Sequence, residues 1–309
     1  MSKRALLGGS RAAAGRPAWL AVMVLAVVTP GPALATEGGG SVYPYGLNTV
    51  ASGILPKPGH YLYFYNLHYA ADVTMTNSGD PAPVPFDVEV RAHTVRYLGS
   101  FGGPKIAGGT PGVLVALPYL DGSADIGPRS GSGDALGDLT VGVMLGWHAP
   151  KLHTLTGVDF ILPTGSYDAD RLFNPGRNQF AAIAYYAITA AIGERLDANV
   201  RAQVTLNGRN DDTDYESGTE AGFEYSLNLR LGPKWLVGLN GFVHHQLTDD
   251  VQGGTTVAPD GRRLHAVAYG PQVAYRGNGW GIAAKWQRED HARNKAEGDK
   301  VWLQFFFAL

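Results

Sequence analysis

Apolar and polar residues alternate without exception along residues 196–207, LDANVRAQVTLN. Leu196, Ala198, Val200, Ala202, Val204 and Leu206 share one face. Asp197, Asn199, Arg201, Gln203, Thr205 and Asn207 share the other. A period of two is strand geometry, because successive side chains point to opposite sides of the backbone. The pattern recurs at Leu139, Val141, Val143, Leu145 and Trp147, and again along AGFEYSLNLRL at 221–231. Read along the whole chain, it predicts about twelve strands, near 60–71, 86–98, 111–121, 137–148, 152–163, 178–191, 196–208, 219–231, 235–247, 264–275, 280–289 and 301–309. The second, third and sixth of these alternate poorly.

The connections fall into two kinds. Ala149-Pro150-Lys151, Gly193-Glu194-Arg195, Gly232-Pro233-Lys234 and Gly277-Asn278-Gly279 are tight turns. Between them lie long polar stretches such as DGSADIGPRSGSGDA, TGSYDADRLFNPGR, TDDVQGGTTVAPDGRR and DHARNKAEGDK. Only GSFGGPKIAGGT, between the second and third strands, is long where a short link is expected. Alternating short and long connections characterise outer-membrane β-barrels, with short turns on the periplasmic side. In such a barrel the apolar face of each strand meets lipid and the polar face lines a wet lumen. The rival architecture, a secreted β-sandwich, alternates equally well but predicts no such asymmetry.

Aromatic residues support the barrel. Tyr61, Trp147, Trp235, Tyr275, Trp280 and Phe307 fall at strand ends beside the short turns and are expected to form a periplasmic lipid-facing girdle. The last strand, VWLQFFFAL, sets Val301, Leu303, Phe305, Phe307 and Leu309 on one face. An alternating apolar terminal strand resembles the signal read by the barrel assembly machinery, although the final residue here is Leu309 and not an aromatic.

The N-terminus reads as a secretory signal over 1–35: basic Lys3, Arg4, Arg11 and Arg16, an apolar run from Ala18 to Val28, and an Ala33-Leu34-Ala35 cleavage site. Its removal takes away four cations and no anions, moving the formal net charge from −2 to −6 and excluding a basic nucleic-acid binder. The absence of cysteine excludes disulfides and thiolate metal sites. No phosphate-binding glycine loop follows a strand and opens a helix, so no nucleotide or other cofactor is implied. The expected location is the outer membrane of a Gram-negative bacterium, with the lipid bilayer and lipopolysaccharide as surroundings.

A family resemblance rests on several stretches. These are YPYGLNTVASGILPKPGHYLYFYN before and into the first strand, GDLTVGVMLGWH, DFILPTGSYD followed by NPGRNQF, TDYESGTEAGFEY, GLNGFVHHQLTDD and GPQVAY. In order and spacing, over 40–309, they resemble the bacterial meta-pathway of phenol degradation family of outer-membrane transporters. The resemblance implies a porin-like transmembrane channel for passive uptake of small hydrophobic or aromatic compounds, and it brings no catalytic residues with it.

Strand parity assigns Asp138, Asp159, Asp197, Arg201, Glu220, Glu224, Arg230, His244 and Lys285 to the lumen. Both signs are present, so a ring of one sign, as in an ion-selective pore, is not expected. Either plain packing in a wet interior or substrate guidance accounts for them. The Gly- and Pro-rich stretch 36–58, with Tyr43, Pro44, Tyr45 and Leu47, reads as a periplasmic leader or as a plug folded into the lumen of a barrel spanning 59–309. Asp168 and Asp170, or Asp211, Asp212 and Asp214, lack the spacing of a calcium loop. His244 and His245 point to opposite faces and cannot share a metal. A phospholipase-like barrel hydrolase would need a serine near His245, with Asn240 as an orienting group, and no nucleophile motif supplies one. A structural or adhesive barrel is the other alternative.

Overall fold

A computed structural model describes Glu37 and residues 39–309; the expected signal segment and its cleavage site lie outside the described residues. The strands are β1 (Gly59–Thr74), β2 (Phe86–Ser100), β3 (Thr110–Ile126), β4 (Arg129–Leu136), β5 (Leu139–His148), β6 (Leu152–Leu162), β7 (Ala181–Ile192), β8 (Leu196–Asn207), β9 (Arg209–Asn210), β10 (Tyr215–Glu216), β11 (Glu220–Leu231), β12 (Trp235–Gln246), β13 (Val251–Gln252), β14 (Thr255–Thr256), β15 (His265–Arg276), β16 (Trp280–Arg293) and β17 (Ala296–Ala308). Twelve of them form an antiparallel cylinder, closed by β1 pairing with β17 on one side and with β2 on the other. Each of the twelve lies where the alternation predicts a strand. The short strands β9, β10, β13 and β14 make a small separate sheet from the long connections.

Burial is inverted relative to a water-soluble domain. Leu239 is 65 % exposed and Leu206 57 %, whereas Asn228, Asn240 and Glu224 are fully buried. An apolar exterior of this extent is stable against lipid, not water. Closure is required for the same reason: in hydrocarbon an unpaired strand edge leaves backbone N–H and C=O groups without partners.

Three expectations are corrected. Tyr61 does not join the lipid-facing girdle; it is buried inside, stacked on Phe306, with its hydroxyl donating to the Lys57 carbonyl at 2.5 Å. The cause is that β1 turns its aromatic parity inward: Tyr61, Tyr65 and Ala71 are buried, while Phe64 on the other parity is 36 % exposed. Trp235, Tyr275 and Trp280 do cluster at the short-turn end, with ring centroids 4.8 and 5.4 Å apart.

The second correction concerns DGSADIGPRSGSGDA, which is not a loop. β3 continues to Ile126 and β4 folds back along it from Ile126↔Arg129 to Tyr119↔Leu136. Its glycines leave room for the 163–180 connection: a Cβ at Gly122 would stand 2.6 Å from the Phe173 ring, and one at Gly131 3.0 Å from Leu172. The third concerns DHARNKAEGDK, most of which is strand. Only Asn294 and Lys295 separate β16 from β17, and Asn294 takes φ 53°, a left-handed conformation asparagine tolerates. Those polar residues sit on strands that continue beyond the apolar band.

Candidate functional site

The inner wall has two chemistries. Strands β8, β11, β12 and β16 face inward largely with amides, hydroxyls and charges, β15 adds Gln272 among alanines, and these polar groups bond one another. Asn199 Nδ2 donates to Asp197 Oδ1 at 2.7 Å and to Ser226 Oγ at 3.1 Å. Gln272 Nε2 donates to Asn228 Oδ1 at 2.6 Å, and Gln287 Nε2 to Asn240 Oδ1 at 2.5 Å. Such pairing is needed because a buried polar group without a partner costs about 1–3 kcal/mol. On the far side, β1, β2 and β3 face inward mainly with apolar and aromatic residues, including Tyr65, Leu67, Val90, Leu114 and Ala116.

The segment before β1 runs through this lumen from the long-loop end to the short-turn end. Glu37 is held among the long loops: Tyr167 OH donates to its Oε1 at 2.7 Å and Asn210 Nδ2 to its Oε2 at 2.6 Å. Burial, followed by that carboxylate, pushes the Tyr167 hydroxyl up to about 12, so it remains a donor at neutral pH. Further in, Ser41 Oγ donates to Glu220 Oε2 at 2.5 Å. Glu224 accepts from Tyr43 OH at 2.7 Å, Gly46 N at 2.7 Å and Asn48 N at 3.0 Å.

From β16 on the same polar wall, Lys285 Nζ donates to the carbonyls of Gly46 at 2.6 Å and Leu47 at 2.8 Å, and to Thr49 Oγ1 at 3.0 Å. Glu224 and Lys285 thus grip the same short stretch, one through its N–H groups and the other through its carbonyls. Toward the short-turn end, Gly53 N donates to Thr189 Oγ1 at 2.9 Å. Leu55 is buried with Leu98, Leu114, Met144 and Leu155.

The structure brings most of the predicted lumen residues into pairs. Arg201 Nη2 stands 3.4 Å from Asp159 Oδ2, and its Nε stands 3.9 Å from Glu224 Oε2. The Arg201 guanidinium also lies 3.6 Å over the Tyr185 ring. His244 Nε2 meets Glu220 Oε2 at 2.7 Å, and its ring stacks on Tyr45 with centroids 4.0 Å apart. Arg230 pairs with Asp197 at 3.2 Å. Asp138 is a loop anchor, accepting from the backbone N–H of Gly165 at 2.9 Å and of Arg177 at 2.7 Å.

Other weighed residues are separated. Asn240 is fully buried in the lumen and bonded to Gln287, while His245 lies on the outer face beside His265, with ring centroids 5.6 Å apart. Those two cannot serve one dyad. Asp168 pairs with Arg171 at 3.5 Å and Asp214 with Arg209 at 2.7 Å.

Sequence reasoning missed Arg96, Glu289, Lys295 and Lys300. Glu289 Oε1 receives Lys295 Nζ at 2.8 Å and Lys300 Nζ at 3.1 Å. Lys295 and Lys300 fall inside the stretch expected as a loop, and Glu289 ends the strand expected just before it. Arg96 lay on a strand whose alternation was blurred by its apolar inner face.

A closed twelve-strand cylinder with an apolar exterior and a buried polar interior defines an outer-membrane β-barrel. The chain belongs to the family described as "Putative MetA-pathway of phenol degradation", whose model matches residues 71–305. An outer-membrane channel from Pseudomonas putida shares the fold with a TM-score of 0.75 at 18 % identity, covering 87 % of this chain and 100 % of that one. The transport unit of the autotransporter AIDA-I from Escherichia coli superposes with a TM-score of 0.51 at 7 % identity, covering 82 % of this chain and 91 % of the other. A comparison with curated proteins gave no match.

Proposed function

We propose that this barrel is a channel for passive uptake of small hydrophobic or aromatic compounds, with residues 39–58 as a resident plug. The observation that carries the reading is a chain of three cavities between that segment and the apolar wall. A cavity of about 440 Å³ at the long-loop end is bordered by Tyr69, Val90 and Phe173. One of about 220 Å³ at mid-height is bordered by Leu114, Ala116 and Ile183. One of about 380 Å³ at the short-turn end is bordered by Tyr63, Leu98 and Phe306. Tyr43 and Val90 border both the first and second, and Tyr65, Arg96 and Arg201 both the second and third. The plug hydrogen-bonds to the polar wall and packs on the apolar wall through Leu55 near the short-turn end, with the three cavities between them elsewhere. A route of this kind suits solutes with little hydrogen-bonding demand, because apolar walls do not repay the dehydration of polar groups.

The test is solute flux in liposomes carrying refolded protein, with empty liposomes as control because aromatics cross lipid unaided. Phenol-like solutes are expected to enter faster, and saturably, when the protein is present. Ala116→Trp places a large ring in the middle cavity and is expected to cut that protein-dependent flux about tenfold, without loss of the heat-modifiable barrel. Uptake equal to that of empty liposomes would overturn the reading.

A further inference from the structure

Arg96 projects from β2 into this route at the smallest of its three cavities, the middle one, and borders the short-turn cavity as well. Its guanidinium carbon lies 5.5 Å from the centroid of the Tyr63 ring, and its Nη1 donates to Tyr65 OH at 3.2 Å. Its Nε is buried and has no hydrogen-bond partner among the described residues. No carboxylate among the described residues lies within ion-pairing distance of it.

The acids that could have neutralised it are engaged elsewhere. Asp159 faces Arg201, Glu224 holds the plug, and Glu289 is shared by Lys295 and Lys300. Arg201 is matched by Asp159 at 3.4 Å and Glu224 at 3.9 Å, which leaves Arg96 without an ion-pair partner among the described residues. The wall beside it is Leu114 and Ala116 of β3, and Ile183 of β7 lines the same cavity.

An uncommitted guanidinium in a buried site carries a large unpaired desolvation cost, and this cost falls when an anion arrives. The planar fork of arginine matches the oxygens of a carboxylate or sulfonate better than a point charge does. Apolar walls beside it favour a ligand whose remaining body is compact and apolar over a hydrated inorganic ion. Resting on the proposed uptake route, we infer that this part of the route is a subsite for small aromatic anions. Arg96 reads the anionic group, and the Tyr63 and Leu114–Ala116 side of the route receives the ring.

The same liposomes decide the matter with solutes of fixed charge. Benzenesulfonate and benzyltrimethylammonium are similar in size, and neither crosses lipid readily. Wild-type protein is expected to pass the sulfonate at least about tenfold faster. Arg96→Gln is expected to lower sulfonate flux by about the same factor, and by far more than it changes the flux of a neutral aryl alcohol; Arg96→Lys, which keeps the charge but loses the fork, should fall between. Heat-modifiability and strand content check that both variants fold. If either variant fails to refold, the wild-type ratio in planar bilayers, read as a reversal potential, carries the test.

An unchanged sulfonate-to-ammonium ratio in Arg96→Gln, or a wild-type preference for the cation, overturns the subsite. Chloride passing freely while benzenesulfonate is excluded overturns the aromatic part. Failure of the uptake route itself is distinguishable, because the neutral aryl alcohol would then also show no protein-dependent flux and no response to Ala116→Trp.

Discussion

Replacing Glu224 with alanine is expected to unseat the lumenal segment and raise single-channel conductance sharply, with the barrel intact. Glu224 receives three hydrogen bonds from that segment, at 2.7, 2.7 and 3.0 Å, inside a fully buried pocket. Hydrogen bonds to a charged acceptor contribute roughly 1.5–3 kcal/mol each. Even if water recovers much of this, a net loss of about 3 kcal/mol shifts the seated-to-released ratio by roughly 10²-fold. Arg201 keeps Asp159 at 3.4 Å, so the substitution does not strand that cation. Glu224→Gln retains a neutral acceptor and is expected to give an intermediate conductance. Deleting residues 38–55 sets the ceiling, and in that background Glu224→Ala should add little, because the two changes remove the same contact. Conductance of Glu224→Ala equal to wild type, with a fully folded barrel, would falsify the plug.

What the alternation could reveal depends on which partner each inner face meets. On β8 and β11 the inner face is polar, the outer face is largely apolar, and the period of two stands out. The strand positions follow from that contrast, and Asp197, Arg201, Glu220, Glu224, His244 and Lys285, on the polar parity, are buried. On β2, β3 and β7 the contrast disappears for a physical reason. Ile183, Tyr185 and Ala187 on β7 pack inward against the threaded segment or beside it, so both faces of the strand are apolar. Tyr61 was assigned outward on the same logic and turns inward because Leu55 and Phe306 cover it there.

Loops were over-read wherever polarity was high. β16 and β17 rise past the apolar band, and Glu289, Lys295 and Lys300 sit on or between them as a buried cluster. Composition alone cannot separate a solvated loop from a strand whose polar face is turned into a lumen. The threaded segment was recognisable as a candidate from Tyr43, Pro44, Tyr45 and Leu47, but its path was not. That path depends on acceptors and donors supplied from residues nearly two hundred positions or more away, such as Glu224 and Lys285.

Gly46→Ala is expected to open the channel by the smallest possible addition, one methyl group. Gly46 takes φ 96°, where a side chain is disfavoured by roughly 1–2 kcal/mol. A Cβ there would also stand 2.1 Å from Gln287 Oε1 and 2.7 Å from its Nε2. Gln287 cannot swing aside without loss. Its Nε2 donates to Asn240 Oδ1 at 2.5 Å, and its Oε1 accepts from Trp302 Nε1 at 3.1 Å. Each of those bonds is worth about 1 kcal/mol to the buried network. The strain is therefore relieved by moving the segment, which also stretches the Gly46 contacts to Glu224 and Lys285. A conductance rise of about tenfold, below that of Glu224→Ala, is expected. Adding Gln287→Ala to Gly46→Ala removes the clash, at the cost of the Gln287 Nε2 bond to the Gly46 carbonyl at 3.2 Å and of its bonds to Asn240 and Trp302. The double variant should return part of the way to the closed state, whereas a merely misfolded Gly46→Ala protein would gain nothing from a second cavity-forming change.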